Sequence, residues 1–220
     1  MKAIEEKFIE VNCNLNKNNK IKGKIFIHHD SVFKYLKELQ TKSKFSYKFD
    51  IDHIDAHADL GLGDASYKYI SEEILNRDTN DRCNNLEAKG WYGIGPGNYL
   101  QFAIACRWIN SLNYITNKKW NNDLLFFIFK DFDTNSNFIQ LKQYSKEDFE
   151  KTNCNPDMIK AFKKIVPIKY EPEVPFQYLD YNDFKSDGKY EMIFLTKSPG
   201  FTPKESDLLI PIISSYMELI

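Results

Sequence analysis

Residues 49–60 read FDIDHIDAHADL, and they constrain the fold more than any other stretch of the chain. A segment with strand character runs straight into Asp50, Asp52, His53, Asp55, His57 and Asp59. Imidazole with carboxylate is the ligand set for Zn, Mn, Fe or Ni. Open α/β sheets bind ligands beyond the carboxyl ends of their strands, so a strand that ends this way calls for such a sheet. All four histidines fall between residues 28 and 57, and the first two, His28 and His29, follow another short strand signal and precede Asp30.

The rest of the pattern supports that class. Residues 24–28 and 45–54 read as strands, with a helix between them that Ser31 can cap, running to about Gln40 with Val32, Phe33, Leu36 and Leu39 on one face. Gly61 and Gly63 break the chain after the acidic cluster. Helical spacing of Tyr67, Ile70 and Ile74 predicts a helix over 66–76, followed by an irregular stretch over 77–97, a helix over 98–109 and a strand over 112–116. The continuous apolar run 123–131 predicts a buried strand, which a turn at 133–136 joins to another over 137–142. A helix over 146–164, broken near Asn155 and Pro156, and a strand over 191–196 follow. Thr202, Pro203 and Glu205 spell a capping box for a C-terminal helix that Pro211 should kink. Helices alternating with apolar strands predict an α/β fold: a mostly parallel sheet covered on both faces, in one domain spanning 1–220.

Composition excludes several classes. Thirty basic and 31 acidic residues leave a formal charge of −1, too little positive charge for a general nucleic-acid binder. The start of the chain carries early acids and no apolar core, unlike a secretory signal. No apolar run is long enough to span a bilayer. Cys13, Cys83, Cys106 and Cys154 form no CxxC pair, so reduced thiols are expected. The expectation is a cytoplasmic protein with no membrane or nucleic-acid partner; a homo-oligomer is left open.

Two geometries would make 53–59 a site. If the strand continued, Asp55, His57 and Asp59 would project to one side and converge at a bend. If the segment were helical, His53 and His57 would adopt the i, i+4 spacing of a zincin, but that motif needs Glu after the first histidine, and Ile54 stands there. The strand geometry is the one adopted. Asp52 and His53 are then expected to orient ligands from behind. The glycine-rich stretch 90–97 lacks a GK[ST] ending and does not spell GxGxxG. It is read as a pocket rim, with Trp91, Tyr92, Asn98 and, after the last strand, Ser198.

Asp55-Ala56-His57-Ala58-Asp59 resembles the metal-binding DAHxD segment of the ureohydrolases, the arginase/agmatinase group. His28-His29-Asp30 after a strand, Gly97-Asn98-Tyr99-Leu100 opening a helix, and the KSPGFTP stretch over 197–203 are similar to the UPF0489 family, a branch with that fold. The resemblance implies a three-layer α/β/α sandwich of arginase/deacetylase type and a divalent metal cofactor, Mn first, as one or two ions. It implies that Asp55 bridges two ions, that His57 binds one and Asp59 the other, and that an upstream histidine, His29 or else His28, completes a shell; Asp55 and His57 are the catalytic pair. The family's second acidic pair has two candidate sources here, Asp131 with Asp133 and Asp180 with Asp183. Some members resemble peptide arginases, which convert arginine side chains to ornithine and urea. The implied partner is therefore a small molecule or peptide carrying a guanidinium. A binding or regulatory protein with a decayed site and a deacetylase-like amidohydrolase are the alternatives.

Overall fold

The computed structural model describes residues 6–42, 48–61, 64–120, 122–153 and 157–220. Strand β1 (Ile21–Phe26) is followed by helix α1 (Asp30–Lys42) and strand β2 (Phe49–Ile54). Helix α2 (Asp64–Tyr69) continues as a π-helical turn over Ile70–Ile74; helix α3 (Tyr99–Ala105) and strand β3 (Ile109–Thr116) come next. Short strands β4 (Phe138–Ile139) and β5 (Lys142–Gln143), helices α4 (Lys146–Asn153) and α5 (Met158–Phe162), and strands β6 (Lys169–Tyr170), β7 (Val174–Asp180) and β8 (Ile193–Thr196) lead to helix α6 (Leu209–Ser214) and strand β9 (Met217–Leu219).

Two sheets carry the molecule, ordered β8-β1-β9 and β2-β3-β7-β4. Strand β1 pairs in parallel with both its neighbours, and β3 with both of its own; among the strand pairs of the described residues, β4–β7 and β5–β6 are antiparallel. This is a mixed α/β chain with mostly parallel sheets. Parallel neighbours need crossovers, which α2 with α3 supply between β2 and β3, while α1 carries the chain from β1 in one sheet to β2 in the other. Register aligns the carboxyl ends: Ile54 sits beside Ile115, Ile115 beside Leu179, and Thr116 beside Asp180. The ends of β2, β3 and β7 therefore open on one edge.

One large core spans both sheets, from Phe26 on β1 and Val32, Phe33 and Leu36 on α1 to Leu112 and Tyr114 on β3 and Phe176 on β7. Phe33 stacks on Trp108 with centroids 4.8 Å apart. Each fully buried large apolar side chain of this kind contributes roughly 1.5–3 kcal/mol. A buried ion group ties the far side together. Arg82, 1% exposed, makes a two-pronged contact with Glu171 at 2.9 and 3.0 Å, and Arg107 adds a third bond at 2.7 Å.

Several expected elements differ. The run 123–131 is not a strand. It forms two 3-10 turns, Phe126–Ile128 and Lys130–Phe132, with Asp131 and Phe132 at positive φ. The Lys142 ammonium, buried, donates to the carbonyls of Phe129 (2.6 Å), Gln140 (3.0 Å) and Phe127 (3.4 Å), so a side chain satisfies carbonyls that a ladder would otherwise have paired. Thr202 caps no helix; its hydroxyl donates to the carbonyls of Lys197 and Ser198, and a 3-10 turn over Lys204–Leu208 precedes α6. Pro211 falls in the first turn of α6, where its missing N–H costs nothing. Strand β7, unforeseen, lies between β3 and β4. The break expected at Asn155 and Pro156, and the glycine at 63, lie outside the described residues.

Candidate metal centre

The chain stops being a strand at Ile54, and that decides the geometry of the cluster. Asp55 accepts a hydrogen bond on Oδ1 from its neighbour-but-one, His57 N, at 3.0 Å, a side-chain turn that Asp favours. Asp59 sits in the left-handed region at φ 52°, which Asp tolerates better than most residues. The two bends return Asp59 inward, 4% exposed on its side chain, and send His57 outward, 55% exposed. Asp55, His57 and Asp59 thus do not share one side as a continued strand would have them.

His29, three residues beyond β1, meets the returning chain. Its Nδ1 lies 2.5 Å from Asp59 Oδ2 and its Nε2 3.6 Å from Asp55 Oδ2. One ligand atom each from His29, Asp55 and Asp59 falls within 4.8 Å of the others. Burial alone would lower the His29 pKa; the Asp59 hydrogen bond and the charges of Asp59, Asp55 and Asp30 outweigh it and raise it above the ordinary value. Among the described residues, Asp55 and Asp59 form ion pairs only with histidines. Two carboxylates with no lysine or arginine against them, joined by an imidazole, match the donor set of a divalent Mn, Zn or Fe ion.

Three segments hold the loop. From β3, the Tyr114 hydroxyl donates to Ala56 O at 2.7 Å. From the segment after β3, Asp123 Oδ1 accepts from Ala58 N at 3.0 Å. At the start of α3, Leu100 N donates to Asp59 O, while Gly61 N donates to Gly97 O. His53 lies beneath: its ring is 9% exposed, its Nε2 is 3.0 Å from His57 O and 3.5 Å from Asp59 Oδ2, and it stacks on Tyr114. Tyr99 sets its ring edgewise against both His29 (5.8 Å) and His53 (6.3 Å). Burial, then the charges of Asp59 and Asp55, raise the Tyr99 pKa well above its usual value, so the phenol stays neutral.

The other expected residues fall elsewhere. His28 is exposed, and its carbonyl accepts from Ser31 N. Asp52 does not support the histidines. Strand alternation turns it away, onto Asn113 and the Tyr190 hydroxyl, each at 2.7 Å. Asp133 accepts from Asn135 within its own turn, and Asp131 stands exposed beside it. Asp180 reaches the shared edge, yet its carboxylate is taken up by Asn182 and by Lys118 N; Asp183 is exposed beyond it. Asn98 occupies the first position before α3, but its side chain binds Gly95 N and Gly93 O instead of capping the helix. Trp91 and Tyr92 are exposed, ring against ring at 3.8 Å, beside a cleft of about 260 Å³ lined by residues of the glycine-rich stretch. Ser198 is buried at φ 46°, its N–H donating to Ile27 O, next to the strand end that carries His28 and His29.

Sequence reasoning missed Tyr99, Tyr114 and Asp123. Tyr99 entered only as part of the Gly97-Asn98-Tyr99-Leu100 stretch, and Tyr114 only as a residue of the expected strand over 112–116. Asp123 was absorbed as the first residue of an expected strand, though an acid opening an apolar run was a visible signal. No protein-family model matches the chain, and no curated protein matches it either. Among the described residues no helix is long and apolar enough to cross a membrane.

Proposed function

We propose that this protein is a metal-dependent hydrolase of C–N bonds, built on an arginase-like three-layer α/β/α fold and acting on a guanidinium of a small molecule or a peptide. The observation that carries the reading is the convergence of His29, Asp55 and Asp59 within 4.8 Å at the carboxyl edge of parallel strands. These three would hold the ion, with His57, 4.0 Å from Asp55 through Nδ1, on the solvent side. A bound divalent ion supplies a water of lowered pKa and stabilises developing charge. The chain's own contribution is a loop held at fixed backbone points, a buried support from His53 and Tyr99, and an exposed imidazole placed to exchange a proton with a reacting group. The substrate guanidinium would approach Asp55, whose side chain is 27% exposed.

The test is metal analysis of purified protein and urea release from an arginine-containing peptide, compared with Asp55→Asn and with an acetyl-lysine peptide. Bound Mn, Zn or Fe with urea release that Asp55→Asn abolishes supports the reading. Release of acetate instead moves the activity to a deacetylase-like amidohydrolase. A folded protein that binds no divalent ion at micromolar concentration sinks it. One observation favours a second reading, a binding or regulatory protein on the same scaffold: both later acid pairs, at Asp131 and Asp133 and at Asp180 and Asp183, lie outside the cluster. Metal binding without turnover of either peptide would select it.

A further inference from the structure

We propose that Asp123 is a positioning residue of the metal centre, supplying negative charge behind the ion as well as a hydrogen bond to the loop. This rests on the cation reading of the site. Asp123 Oδ1 accepts from Ala58 N, the amide between His57 and Asp59, at 3.0 Å. Its Oδ2 is fully buried and, among the described residues, has no hydrogen-bond partner. A buried carboxylate oxygen left without a donor is costly and rare, and calls for a compensating charge. Among the described residues Asp123 has no ion pair, and Asp55 and Asp59 have ion pairs only with imidazoles, so three carboxylates gather at the loop with no lysine or arginine against them. A hydrogen bond alone explains Oδ1. It does not explain why an acid stands there, because asparagine would accept from Ala58 N equally well and would leave no buried charge. A divalent ion held by His29, Asp55 and Asp59 supplies the missing compensation, and the charge of Asp123 in turn strengthens the hold on the ion.

The Asp123→Asn variant keeps the acceptor and removes the charge; Asp123→Ala removes both. Mn²⁺ alone is titrated calorimetrically into wild type and both variants, and thermal unfolding of each metal-free protein is recorded. Asp123→Asn should bind Mn²⁺ at least about tenfold more weakly, the range for residues supporting metal ligands, while its metal-free unfolding temperature stays level or rises. Asp123→Ala should bind more weakly still and unfold earlier. Affinity of Asp123→Asn within twofold of wild type overturns the proposal. So does a loss of affinity matched by an equal loss of metal-free stability, the mark of a residue that only holds the loop. Wild type that binds no Mn²⁺ overturns both this proposal and the cation reading, whereas tight binding by wild type and Asp123→Asn alike overturns this proposal alone.

Discussion

Asp59 contributes two separable properties, a charge facing His29 and a backbone in the left-handed region. Substitutions can pull them apart. Asparagine also tolerates that backbone, so Asp59→Asn should leave the fold intact and weaken Mn²⁺ binding by tenfold or more in a calorimetric titration. Asp59→Ala adds a backbone cost of about 1–2 kcal/mol, visible as a lower unfolding midpoint even without metal. Glu171 gives a second residue-scale test. Burial pushes its carboxyl up, but the hydrogen bonds and charges of Arg82 and Arg107 outweigh burial and hold it at about 2, against an ordinary 4.5. A folded-state pKa below the unfolded one adds stability that is fully present above the unfolded value and is lost as the pH falls toward the folded one. Urea midpoints should therefore fall steeply between about pH 4.5 and 2, and less steeply in Glu171→Gln. At neutral pH that variant, leaving Arg82 buried without its charge partner, should lose roughly 3–5 kcal/mol.

At the scale of elements, the aromatic knot under α4 and α5 is the clearest support. Phe162 is 1% exposed and meets Phe126, Phe127, Phe132, Tyr144 and Phe149 within 6.2 Å. Phe162→Ala should cost about 3–5 kcal/mol, measured by denaturant unfolding. The same region shows why periodicity failed over 123–131. An apolar run of that length buries its side chains whether it pairs as a strand or coils on itself, and hydrophobicity alone does not separate the two. The deciding partner, Lys142, is a lysine buried in the core, the opposite of what its residue type suggests. The DAHAD segment failed in a different way. Its residues were legible as ligands, but their direction depended on the Asp55 side-chain turn and on the left-handed Asp59. Neither leaves a periodic trace.

For the whole molecule, the class was readable because strands alternated with helices, and the parallel pairings of β1, β2, β3, β7 and β8 follow that alternation. Strand β7 was not readable: Pro172 and Pro175 flank and enter it, and only burial between β3 and β4 makes it a strand. The site inherits this topology, since its ligands come from the ends of two strands in different sheets, β1 and β2. An ion held there should stabilise the fold as a whole, by about 2.7 kcal/mol at a hundredfold excess over its Kd. Thermal unfolding should shift upward with Mn²⁺ and return with a chelator, and Asp55→Asn should not shift. The fastening of the loop at Ala56, Ala58, Asp59 and Gly61 has a kinetic consequence. A loop already fastened at four backbone points has little to rearrange when an ion arrives, so in stopped-flow mixing the rate of capture should track how quickly each incoming cation sheds its own water.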